Sequence, residues 1–119
     1  MRRTTVWGLT IVAGGMFLLA GTLKLIGLPI EVDLFKAIGI GQWFRYVTGS
    51  LEVAGAIGLF IPTFATIAAL LLAAVMVGAI VTHLFIVGGS PLIPIALLAI
   101  TIGIAYLRRE QISSRLATA

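Results

Sequence analysis

The sequence predicts an all-α membrane protein: an antiparallel bundle of four transmembrane helices with a short interfacial segment between helices 1 and 2. Three observations lead there. Of the 119 residues, 61% are hydrophobic and only 10% are charged, against roughly 25% charged in soluble domains. The mean hydropathy is +1.21. The apolar residues fall into four runs separated by turn signals. So few charges cannot coat a soluble fold of this size, so the apolar surface has to face lipid.

The first span is expected over residues 6–27, after Arg2 and Arg3. A positive start before an apolar run also describes a signal peptide. This run outlasts the usual h-region and no A-x-A site closes it, so it reads as a span. Residues 28–42 carry Glu31, Asp33 and Lys36. Pro29 suits the first turn of a short helix. Ile30, Leu34, Phe35 and Ile38 share a face at helical spacing, which predicts an amphipathic piece lying at the interface. Trp43, Phe44 and Tyr46 follow as an aromatic cluster at headgroup level. The second span is expected over 43–60, stopped by Pro62, with 61–64 a tight turn. The third is expected over 65–87. Gly88-Gly89-Ser90-Pro91 is a turn. The fourth, over 92–107, is short and has Pro94 in its first turn.

Charge sets the orientation. Arg2 and Arg3 flank the start of span one, and Arg108, Arg109 and Arg115 follow span four. An even number of spans places both termini on the basic side, which is cytoplasmic by the positive-inside rule. The short turns make neighbouring helices antiparallel. Residues 1–119 read as one transmembrane domain. The same rule accounts for the net charge of +4 without nucleic acid. Lys24-Leu25 is loosely matched by His83-Leu84, yet span four has no counterpart of Glu52, so an internal repeat is weakly marked,.

Composition excludes several chemistries. With no cysteine there are no disulfides, thiolate metal sites or thiol redox steps. One histidine cannot supply a multi-histidine metal site,. No metal is expected, and no cofactor is intrinsic. Two stripes of small residues, Ser50/Ala54/Gly58 and Ala74/Gly78/Thr82, are expected to pack helices within the bundle, with a homo-oligomer contact as the other use.

The informative residues are Lys24, Arg45, Glu52 and His83. All fall in the outer half of the expected membrane. Arg45 and Glu52 are seven apart and share a helix face,. Lys24 can snorkel to the headgroups, Arg45 can meet a lipid phosphate, and His83 can hydrogen-bond a neighbouring helix. Glu52 is too deep and too short for such an escape. It must be protonated, paired with Lys24 or His83, or solvated. If spans one to three pack together, these four residues form one outward-facing polar pocket. Gln42, Thr22, Ser50, Thr48 and Thr82 are placed to extend it. Met76 reads as packing, and Trp7 and Tyr106 as belt residues.

Three segments carry a resemblance: Ala20-Gly21-Thr22-Leu23-Lys24-Leu25, Trp43-Phe44-Arg45-Tyr46 with Gly49-Ser50-Leu51-Glu52-Val53-Ala54-Gly55, and Val77-Gly78-Ala79-Ile80-Val81-Thr82-His83-Leu84. In residues and spacing they resemble the DoxX family of small four-helix bacterial membrane proteins. The resemblance carries over Lys24, Arg45, Glu52 and His83 as the family's polar positions. It also implies an accessory or ligand-binding subunit near the quinone pool, since the family name comes from a subunit of a thiosulfate:quinone oxidoreductase. Quinone and redox-enzyme subunits are then the expected ligand and partners.

The residues leave two other functions open: a small proton-coupled transporter, or a structural or assembly factor without chemistry of its own. A self-sufficient enzyme is not expected, because no residue set supplies electrons. Alternating access is disfavoured by the apolar cytoplasmic half, whose turn at 61–64 carries no charge.

Overall fold

The computed structural model describes residues 2–109. Arg115 and the side chain of Arg2, both counted as cytoplasmic charges, lie outside that description. The described chain is helical, in the order α1 (Arg2–Ile26), α2 (Pro29–Ile38), α3 (Trp43–Leu59), α4 (Ala65–Thr82) and α5 (Leu92–Leu107). A five-residue π turn, His83–Val87, continues α4. The elements expected from sequence are all present. α1 begins four residues earlier than expected, because no residue before Val6 is a helix breaker.

The boundaries have local causes. Gly27, at φ +74°, ends α1. Its N–H bonds the Lys24 carbonyl at 3.2 Å, and the Leu28 N–H bonds the Leu23 carbonyl at 3.3 Å. That pair of bonds is a Schellman cap, which needs a left-handed residue that glycine adopts without strain. Pro29 opens α2, where its missing N–H costs nothing. The left-handed Gly39 closes α2, its N–H bonding the Phe35 carbonyl at 3.3 Å.

Two stretches, Arg3–Ile26 and Ala65–Val87, are long and apolar enough to cross a membrane. Only 28% and 17% of their most apolar windows are buried. The core helix of a soluble protein would be mostly buried, and these unburied apolar faces are compatible with contact to lipid. α3 and α5, at 17 and 16 residues, reach only about 24–26 Å at 1.5 Å per residue.

The long helices contact in the cycle α1–α3–α4–α5–α1, and partners run in opposite senses. Thr66, at the start of α4, donates to the Arg108 carbonyl just past α5 at 3.0 Å. The core runs along the axis through Phe17, Leu59, Leu72 and Ile104. Met76 is buried there, as a packing residue should be.

The small-residue stripes are placed otherwise than expected. Ser50, Ala54, Ala74 and Gly78 are exposed, and a Cβ on Gly78 would meet nothing within 4 Å. Of the two stripes, Gly58 packs inward, where a Cβ would lie 2.9 Å from that of Ala68. Close approach falls instead to Gly14 against Phe60, Gly21 against Gly49, and Gly55 against Leu72. Those glycines share faces with the core residues. The stripes sit on helix faces where every neighbour is also apolar, so composition alone did not separate inside from outside.

Candidate functional site

The polar cluster is built at the α2 end of the bundle, where α1 crosses α3. Gly21 and Gly49 let the two backbones touch there, and each stands three residues before a charge, Lys24 and Glu52. A helical Cα–Cβ bond tilts toward the helix N-terminus. Because α1 and α3 run oppositely, Lys24 and Glu52 lean toward one another. Lys24 Nζ lies 2.9 Å from Glu52 Oε1. The approach is off-axis: it is an ion pair without an aligned hydrogen bond, and Oε1 accepts no other bond. The Glu52 side chain is 2% exposed and that of Lys24 13%.

α2 lies over this pair and contributes a second carboxylate. Glu31 Oε2 is 4.0 Å from Lys24 Nζ, and it too is buried without a hydrogen-bond donor. From sequence Glu31 belongs to the amphipathic interfacial segment and not to the buried polar set. The signal that places it inside is its position two residues after Pro29, which puts it in the first turn of α2, directly beyond the end of α1.

Arg45 and Gln42 hold the frame. Arg45 is 6% exposed. Its Nε donates to Gln42 Oε1 at 2.8 Å, and its Nη1 donates to the Lys24 carbonyl. Gln42 Nε2 in turn donates to the Val32 carbonyl of α2 at 3.0 Å. Arg45 therefore braces the α1 cap instead of reaching a lipid phosphate. A side chain on Gly27 would collide with it, since a Cβ there lies 3.1 Å from Nη1. The cluster of Lys24, Arg45, Glu31 and Glu52 balances two formal positive charges with two negative.

Phe44 anchors α2 from below, its ring edge-on to Phe35 with centroids 5.7 Å apart. Phe35 is the buried residue of α2. Trp43 and Tyr46 are exposed.

The remaining predicted positions do not join. His83 Nδ1 meets the carbonyl of Gly88, just past the π turn, at 2.9 Å, and is not bonded to Lys24 or Glu52. The long helices α1 and α4 are diagonal in the cycle, so a histidine in the turn that continues α4 is held apart from the α1–α3 seam. Thr82 returns its hydroxyl to the Gly78 carbonyl at 2.8 Å. Thr22 and Ser50 are exposed, and Thr48 is half-buried.

The arrangement is a closed polar cluster. A shallow groove of about 320 Å³ runs along α3 and α4, lined by Ala54, Gly58, Ile61, Phe64, Ile67 and Leu71. It carries no titratable group. Among the described residues no cluster of three His, Asp or Glu side chains could hold a metal.

Apolar helices with unburied faces, around a buried Lys–Glu pair, define a small helical membrane protein. The chain belongs to the DoxX-like family, whose model matches residues 8–105. No curated protein matches it, and no solved structure does.

Proposed function

We propose that the chain crosses the bacterial cytoplasmic membrane four times, with α1, α3, α4 and α5 as spans and both termini cytoplasmic. α2 then lies at the outer interface. The long dimension of 44 Å suits a bilayer of about 40–45 Å including headgroups. Aromatic residues at both ends and the basic residues at the terminal end support the same placement.

In this reading the protein is an accessory or ligand-binding subunit of a quinone-linked redox system. Its site is the cluster of Lys24, Glu52 and Glu31, framed by Arg45 and Gln42. The observation that carries it is the Lys24–Glu52 pair, buried at 2.9 Å. Buried ion pairs are costly to form and rarely the best way to stabilise a helix contact. Two carboxylate oxygens without donors, beside a single ammonium, leave hydrogen-bonding capacity for a polar headgroup. Electrons would come from a partner subunit.

A proton-coupled carrier would use the same pair. Against it, the half of the bundle away from α2 has no described ionisable group on α1, α3 or α4 between the cluster and the terminal end. Native mass spectrometry of the protein in lipid nanodiscs, extracted from its own membrane, tests the reading. A stoichiometric quinone or redox-protein partner supports it. A bare protein with bulk lipid removes its support and leaves the assembly role.

A further inference from the structure

At the opposite end from α2, the start of α1 and the end of α5 meet around Trp7. The Arg108 guanidinium lies 5.6 Å from the Trp7 ring centroid. Arg108 Nε is buried and has no hydrogen-bond acceptor. A guanidinium is always charged and carries five donors in a fixed fork, so a buried idle donor marks a place where an acceptor is missing. The Arg108 carbonyl is already held by Thr66, which fixes the backbone and therefore the position of the fork.

The surroundings select the acceptor's charge. Arg3 stands one turn before Trp7 on α1, and residues four apart share a helix face. The described carboxylates, Glu31, Asp33 and Glu52, all lie on α2 or α3 toward the other end. Glu110 follows in sequence, outside the described residues. Arg109 has a different fate: it folds over the Tyr106 ring at 4.1 Å and donates to the Tyr106 carbonyl at 2.8 Å. The two neighbouring arginines thus separate into one bonded and stacked within its own turn and one with a buried donor that has no acceptor, beside Trp7.

We propose that Arg108, with Arg3 and Trp7, forms a binding site for one anionic phospholipid headgroup between α1 and α5. Arg108 forks onto the phosphodiester, Arg3 adds a second positive charge, and the acyl chains lie against exposed apolar side chains of α1 and α5, among them Val12 and Ile102. The assignment rests on the membrane placement of the chain and not on the Lys24–Glu52 site.

The test is native mass spectrometry of the full chain released from nanodiscs of equal phosphatidylglycerol and phosphatidylcholine. Wild-type protein should retain one phosphatidylglycerol in preference to phosphatidylcholine. Arg108→Gln should lower that retention about fivefold, the equivalent of the roughly 1 kcal/mol that one arginine contributes at an anionic surface. Arg3→Gln should lower it by less, Arg108→Lys should keep part of it, and Arg109→Gln should leave it unchanged. Glu110→Gln should not reduce it. Retention without preference between the two lipids, or equal losses in Arg108→Gln and Arg109→Gln, overturns the site. Displacement of the lipid by millimolar glycerol 3-phosphate would assign a soluble phosphate ligand and overturn the lipid assignment.

Discussion

Gly21 and Gly49 face each other across the α1–α3 seam so closely that a Cβ on Gly21 would lie 2.7 Å from the Gly49 carbonyl oxygen. Between membrane helices there is no hydrophobic drive, so contact depends on how near two backbones can come. Here that nearness also sets the distance between Lys24 and Glu52, three residues further along each helix.

Gly21→Ala should therefore destabilise the protein by about 1–3 kcal/mol, the usual cost of forcing an extra carbon into a filled site. Its Cβ would meet backbone, which cannot turn aside. Gly15→Ala on the same helix is the control: no atom lies within 4 Å of its Cβ, and alanine is the better helix former by up to ~1 kcal/mol. Unfolding in a denaturing detergent titration should lower the midpoint for Gly21→Ala and leave it level or higher for Gly15→Ala. Equal midpoints would show that the seam is loosely packed.

The ion pair should respond asymmetrically to loss of one partner. Lys24→Met leaves Glu52 and Glu31 buried together without an ammonium, and removal of one member of a buried pair costs about 3–5 kcal/mol. Glu52→Gln leaves Lys24 with Glu31, 4.0 Å away, and should cost less, about 1–3 kcal/mol, the usual penalty of a buried polar group left short of a partner. The double variant should recover part of the Lys24→Met loss. The same detergent titration reads all three, and a greater loss in Glu52→Gln than in Lys24→Met would reverse the assignment.

The helices were legible because turn residues punctuate them: Pro29, Pro62 and Gly88-Gly89-Ser90-Pro91 each fall where an apolar run stops. The burial of Glu52 was legible, because a carboxylate in the middle of an apolar run has no short route to water. What sequence did not reveal was rotation. In an apolar helix every face looks alike, so the stripes on α3 and α4 and the position of His83 could not be assigned to inside or outside. Glu31 was missed for a related reason, since its burial depends on how the Gly27 cap folds α2 back over Lys24.

Arg45 should be irreplaceable by lysine. Two different guanidinium nitrogens donate, one to Gln42 and one to the Lys24 carbonyl, and an ammonium cannot span both along one rigid plane. Arg45→Lys should release the α1 cap and, through Gln42, the tie to Val32 of α2. Hydrogen exchange should then accelerate at the amides of Gly27, Leu28 and Val32, while amides at the core of α4 keep their protection. Unchanged exchange at residues 27–32 would mean that the cap holds without Arg45.

The proposed ligand site makes one further demand, on which residue matters to binding. Glu52 has no solvent alternative, whereas Lys36 is exposed on α2 and His83 is bonded to Gly88. With a short-chain ubiquinone analogue as probe, Glu52→Gln should weaken binding at least tenfold, the low end of what a hydrogen bond to a charged group contributes. Lys36→Gln and His83→Gln should stay within about twofold of wild type. The comparison also separates the two polar ends of the α2 face: a loss in His83→Gln as large as that in Glu52→Gln would move the site from the α1–α3 seam to the π turn. Equal small effects in all three would leave the Lys24–Glu52 pair with only a structural role, and the assembly-factor reading would then fit the fold better than the quinone one.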